Sequence, residues 1–226
     1  MVKKTRSRAG RRVRAGHLDA REQLLNAAIA VCAERGIANT TVAQIAAAAG
    51  VTAAMVHYWF DTRERLLEAM VEERLAPLFQ HLWSSGALEH DAPIEMIHEI
   101  VRRMFEITKK LPALPALWLR EVVNEGGLLR EYVRRRIPMD RVGAFRKAMA
   151  LGQERGVINP EVDPSLLFLS IMALVMLPQA TAKTWQAVNQ TQTLASSALE
   201  QHVNALLMHG ITGKNPAGRS KKRRTP

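Results

Sequence analysis

Between Thr40 and Leu67 the chain reads TTVAQIAAAAGVTAAMVHYWFDTRERLL, with caps and breakers spaced so that two short helices must meet across a tight turn. Thr41 followed three residues later by Gln44 is a capping-box start: the hydroxyl accepts from an orphan backbone N–H while the amide reaches back to the cap residue's own N–H. Val42, Ile45, Ala46 and Ala49 then share one helical face. Gly50 supplies the left-handed conformation that turns the chain without a Cβ penalty. Thr52 stands where it caps the next helix, and Val51 and Val56 offer the apolar contacts that set the angle between the two. The spacing alone leaves two uses open, a DNA-reading pair or a close-packed hairpin in any all-helical protein.

Charge narrows the choice. Residues 1–14 hold Lys3, Lys4, Arg6, Arg8, Arg11, Arg12 and Arg14, and residues 214–226 hold Lys214, Arg219, Lys221, Lys222, Arg223 and Arg224, without one acid in either segment. Removing these 13 from the 32 basic residues leaves 19 against 21 acids, so the net charge of +11 belongs to the two ends. Segments this basic and this poor in apolar residues are expected to stay disordered in the free protein. Double-stranded DNA is the partner such an N-terminal arm suits, because each cation placed on a phosphate releases counterions. The C-terminal tail is read as a solvated extension, with an anionic membrane surface or a second DNA contact as its other uses.

Cys32, the single cysteine, lies on an apolar helical face and reads as a small buried hydrophobe. The most apolar run, Leu166 to Leu177, is 12 residues, short of the ~20 that span a bilayer. It reads as a helix buried on all sides, and no membrane insertion is expected. A helix is expected from Asp61 or Thr62 towards Trp83, kinked or ended at Pro77. Further helices follow over Ile94–Thr108, Pro112–Val122, Leu128–Arg136, Met139–Arg155, 164–185 and 193–209, without strand-like alternation. The histidines form no H-E-x-x-H arrangement, and there is no phosphate-binding glycine loop or nucleophile elbow, so neither catalysis, a metal nor another cofactor is expected. His98 beside Glu95 and Glu99 reads as a solvated face.

The residues Thr41, Ile45-Ala46, Ala49-Gly50-Val51-Thr52, Val56-His57-Tyr58-Trp59-Phe60 and Thr62-Arg63-Glu64-Arg65-Leu66-Leu67, with the helix Arg21 to Gly36 before them, resemble the N-terminal domain of the tetracycline-repressor family of bacterial regulators. His57 replaces the family's usual tyrosine, Trp59 its histidine, Ala54 its common glycine and Arg63 its lysine. The resemblance implies an all-α protein: a three-helix helix-turn-helix domain over 18–64 and a larger helical ligand-binding and dimerisation domain over 65–210, between a basic arm (1–17) and a basic tail (211–226). It implies a cytoplasmic, ligand-responsive repressor that binds a palindromic operator as a homodimer through its last two helices. A low-specificity architectural DNA-binding protein is the alternative.

Residues 37–60 contain no Lys, Arg, Asp or Glu. Thr52, Ala53 and His57 are therefore expected to face bases, Ala54 to meet thymine methyls, and Thr41, Tyr58 and Arg63 to position phosphates, with Thr40 a further DNA-binding candidate. Trp59 is either part of the reading surface or a plug behind it. An unidentified, largely apolar small-molecule effector is expected near Met104, Phe105, Trp118, Glu121, Tyr132, Met172 and Met176. Most of these are equally at home in a core, and Glu121 becomes structural if a partner holds it.

Overall fold

On the first helix, Leu24, Leu25, Ala28, Ile29 and Cys32 recur at helical spacing, and all five are fully buried. The computed structural model describes residues 8–84, 92–189 and 195–212, with the side chains of 8–19 and 189 left aside. Its regular elements are helices: α1 (Arg8–Arg35), α2 (Val42–Ala48), α3 (Ala53–Phe60), α4 (Arg63–Met70), α5 (Ala76–Leu82), α6 (Pro93–Lys110), α7 (Leu114–Trp118), α8 (Arg130–Arg134), α9 (Met139–Glu154), α10 (Pro164–Ala180), α11 (Ala182–Asn189) and α12 (Ser196–Ile211). An isolated bridge pairs Ile158 with Thr212. The chain divides into two units, one of residues 1–79 and 111–136, the other of 80–110 and 137–226.

In the first unit α1 is the central element, packing against α2, α4 and α7. It begins at Arg8, so residues 8–17 of the expected disordered arm are helical; residues 1–7 and the tail from 213 lie outside the described residues. Low apolar content argues against burial and says little about helicity, and the Arg and Ala of this stretch are strong helix formers. The helix expected from Thr62 to Trp83 runs from Arg63 to Leu82, with a π-helical turn at Val71–Leu75 in place of a break. That turn ends two residues before Pro77, which has no N–H to donate, and the wider turn absorbs the mismatch. A second π-helical turn, Leu119–Val123, follows α7. Because α7 covers α1, residues 111–136 join the helices α1 to α4, a division unlike the sequence boundary at 64/65.

The second unit is built on α6, which buries Met96, Ile97, Ile100, Val101, Met104 and Phe105 and packs against α9, α10 and α12. Trp83, Phe145 and Phe168 stack near it, with the Trp83 and Phe168 ring centroids 4.8 Å apart. Arg103 is buried beneath the end of α5, where its Nη1 donates to the carbonyls of His81 at 2.9 Å and Ser84 at 3.1 Å while Nε meets Glu99 at 2.6 Å. Helix α10 is not buried on all sides: Leu167, Ile171 and Val175 face inward, and Leu166, Leu169 and Leu177 stand at least half exposed. The stripe of α12 divides in the same way, with Leu199, Val203 and Leu207 inside and Leu206 outside.

Two outcomes follow from this packing. A Cβ on Gly152 would lie 2.7 Å from Ile158 Cγ1 and 2.8 Å from Pro93 Cγ, so Gly152→Ala is expected to cost about 1–3 kcal/mol by overpacking, read from urea unfolding. The Arg102 guanidinium, and after it Arg103, holds the Glu99 carboxyl at about 2 against an ordinary 4.5. A carboxyl depressed in the folded state stabilises fully above its unfolded value and loses that contribution as pH falls through its folded one. The thermal midpoint of wild type should therefore exceed that of Glu99→Gln above about pH 4.5, and the gap should close as pH approaches 2.

Candidate nucleic-acid interface

The turn forms as its sequence dictates. Thr41 sits at the N-cap of α2, where its Oγ1 accepts from the Gln44 N–H at 3.3 Å and its own N–H donates to Gln44 Oε1 at 2.9 Å. Gly50 takes φ +68°, and the axes of α2 and α3 bend by 107° across it. Thr52 occupies the N-cap of α3 with extended backbone, and its hydroxyl makes no capping bond to the helix. Val56 and Phe60, one turn apart, are buried. Thr52, Ala53, Ala54, His57 and Tyr58 are thereby left together on an exposed face. Trp59 is half-buried, edge-on to Tyr58 with centroids 5.1 Å apart.

Two of the eight expected DNA contacts are placed differently from the rest. Thr40 is only 2% exposed and donates its hydroxyl to the Gly36 carbonyl at 2.7 Å. Its side chain therefore belongs to the loop between α1 and α2 and not to the outer surface, which corrects the expectation for it. Arg63 turns inward as well: Nε donates to the Thr40 carbonyl at 2.9 Å and Nη2 to the Ile37 carbonyl. Through these two carbonyls the guanidinium is a strut for the loop ahead of α2, while its Nη1 lies 3.7 Å from the Glu64 carboxylate. Thr41 remains exposed.

The same loop explains Glu121. Its carboxylate is 5% exposed, with Oε1 accepting from the Ile37 N–H at 2.8 Å and Oε2 from the Leu128 N–H at 3.1 Å. The Leu129 N–H also donates to the Glu121 carbonyl, and Gly127 approaches so closely that a Cβ there would fall 2.2 Å from that oxygen. Both carboxylate oxygens are thus occupied by backbone, so the effector contact expected of Glu121 is replaced by a structural one. Burial pushes the thiol of the neighbouring Cys32 up, against a smaller opposing effect of a hydrogen bond with Thr40.

The remaining effector candidates are divided between the units. Met104 and Phe105 are buried in the second unit, where Met172 and Met176 are half-buried. Trp118 and Tyr132 lie in the first, Trp118 5.8 Å from the Phe79 ring centroid. Tyr132 borders an open groove of about 540 Å³ with Glu131, Arg135 and Arg136. Those charges are already paired, Arg135 with Glu131 and Arg136 with Glu72, so the groove does not have the apolar lining expected of the effector site. No single helix among the described residues is long and apolar enough to cross a membrane.

Sequence reasoning missed Asp61. It alone among the described non-glycine residues has positive φ, at the end of α3, and no turn-forming partner marks it in the sequence.

Comparison with known proteins gives matches on both sides of the chain. The family model for bacterial regulatory proteins of the tetR family matches residues 24–70, and that for the tetracyclin repressor-like C-terminal domain matches 93–208. The HTH-type transcriptional regulator BetI of Brucella melitensis biotype 2 is 33% identical over 121 residues, 51% of this chain and 61% of the relative. BetI 2 of Chromohalobacter salexigens is 34% identical over 100 residues, 44% of this chain and 48% of the relative. These matches span less than two thirds of the relatives' length. Similar in fold are AibR, solved with isovaleryl coenzyme A and operator DNA (TM-score 0.61, 20% identity, 83% of this chain and 97% of that one), and the ketosteroid transcriptional regulator KstR2 of Mycobacterium tuberculosis (TM-score 0.61, 24% identity, 86% and 95%).

Glu121→Ala would leave two backbone N–H groups without acceptors beside an emptied site. An unfolding free energy lower by about 1–3 kcal/mol is expected, measured by chemical denaturation.

Proposed function

The chain belongs to the tetR family of bacterial regulatory proteins, and from that membership we propose that it is a sequence-specific DNA-binding transcriptional regulator, a ligand-responsive repressor acting on a palindromic operator in the cytoplasm. The observation that carries this reading is the exposed face of α3, where Thr52, Ala53, Ala54, His57 and Tyr58 stand clear of the core on a helix held at 107° to its neighbour. A helix so presented fits the major groove, and its uncharged side chains suit base edges better than phosphates. Thr41 and Tyr58, both exposed, are the residues we assign to phosphate contacts.

The second unit supports a homodimer. Leu166, Leu169 and Leu177 of α10 and Leu206 of α12 leave apolar surface uncovered by this chain, and a second copy offers the same surface in return. Two-fold symmetry then sets two half-sites about one helical turn, or a multiple of it, apart. The effector is a small, largely apolar molecule held in the helical region over 65–210. In favouring a dimer whose α3 helices are wrongly spaced, it would lower DNA affinity by a shift of population. AibR, solved with an acyl coenzyme A and operator DNA together, is a relative in fold that holds both kinds of partner.

Selection of bound sites from a random duplex pool tests the reading directly. A palindromic consensus is expected, whereas recovery of unrelated sequences would favour an architectural DNA-binding protein. Leu169→Glu combined with Leu206→Glu should shift the protein from dimer to monomer in sedimentation and weaken operator binding at least tenfold, because each added charge would be buried unpaired at the interface.

A further inference from the structure

The end of α3 carries an unusual backbone. Asp61 lies at φ 63°, ψ −60°, and the Thr62 N–H donates to the Phe60 carbonyl at 2.6 Å, which makes a γ-turn of the strained, positive-φ kind. His57 ties this turn down twice. Its carbonyl accepts from the Asp61 N–H at 2.9 Å, and its ring Nδ1 lies 2.8 Å from the Asp61 carbonyl oxygen. A carbonyl oxygen only accepts, so the proton of the ring must sit on Nδ1. In the neutral imidazole Nε2 is then a bare acceptor, on a residue exposed beside Ala53 and Ala54.

From this we infer that His57 is a specificity-determining residue that reads a hydrogen-bond donor on a base edge, adenine N6 or cytosine N4, and rejects guanine and thymine at that position. The inference rests on α3 being the base-reading helix. In the major groove guanine presents only N7 and O6, and thymine only O4 and a methyl group, so either would set lone pair against lone pair. Phosphate oxygens are acceptors too, and a neutral Nε2 has nothing to offer them. Moving the proton to Nε2 would reverse the preference, but it breaks the bond to Asp61 that holds the γ-turn closed. Residues 37–60 carry no charge, and the nearby Arg63 guanidinium turns Nε and Nη2 to the carbonyls of Thr40 and Ile37 and Nη1 towards Glu64 at 3.7 Å. The helix would thus discriminate through one neutral acceptor, the Thr52 hydroxyl and apolar contact by Ala53 and Ala54.

The test uses the full-length protein and duplexes carrying its selected consensus, with binding followed by fluorescence anisotropy. Each adenine or cytosine of a half-site is replaced in turn by an analogue lacking the exocyclic amino group, purine for adenine and 2-pyrimidinone for cytosine. The same replacement outside the footprint of α3 controls for weakened base pairing. One position per half-site is expected to lose about tenfold in affinity with wild type, and to lose nothing further with His57→Ala, so that the two changes are non-additive. The analogues leave the protein untouched, so the wild-type result does not depend on how the variant folds. The inference is overturned if every replacement costs the same with wild type and with His57→Ala, or if His57→Ala weakens all sequences by one common factor. A pool that returns no consensus removes the base-reading premise itself, an outcome distinct from a consensus that is indifferent to amino groups.

Discussion

Ile37 is the residue on whose backbone three segments of the chain meet. Its N–H donates to Glu121, which belongs to the π-helical turn after α7; its carbonyl accepts from Arg63 at the start of α4 and from the Thr40 N–H within its own loop. Ile37 is buried, so each of these groups would be costly without its partner, and the Glu121 carboxylate would be equally costly without its two N–H donors. The loop therefore has one satisfied arrangement. That arrangement sets where Thr41 begins α2, and through the 107° turn where α3 points.

This arrangement reassigns the charges. Arg63, placed by sequence as a cation for phosphate, works as a strut on the Ile37 carbonyl, and Glu121, placed as a ligand contact, works as its counterpart on the N–H of the same residue. Two of the charges near the exposed face of α3 hold the loop on which it is built. The face itself is neutral, a composition that favours discrimination between bases over affinity for any duplex. Long-range attraction is left to basic residues at the chain ends, of which Arg8, Arg11, Arg12 and Arg14 fall on the helical N-terminal part of α1.

Legibility followed the range of the interactions. The Thr41–Gln44 capping box, the left-handed Gly50 and the buried Val56–Phe60 pair were readable because each depends on residues within one or two turns. The same holds for the apolar face of α1. The γ-turn at Asp61 is local as well, yet no residue type announces it, because aspartate is tolerated in many turns and the bond that holds this one comes from a histidine side chain. Glu121 was misplaced for a different reason: its partner lies 84 residues away, and a carboxylate on an apolar helix face looks the same whether a ligand or a backbone amide awaits it.

The helical class, the helix-turn-helix and its uncharged face were settled by sequence alone, since periodicity, caps and charge are properties of neighbouring residues. Tertiary structure decided which face of each apolar helix is covered. Leu167 and Leu169 of α10 are alike in sequence, and only the packing of α6, α9 and α12 buries the first and leaves the second exposed. It also decided that residues 111–136 belong with the helices α1 to α4, and that one nitrogen of His57 is closed while the other stays open. The physical reason is common to all three: burial and hydrogen-bond satisfaction depend on what lies across space, and a linear pattern records only what each residue is able to offer.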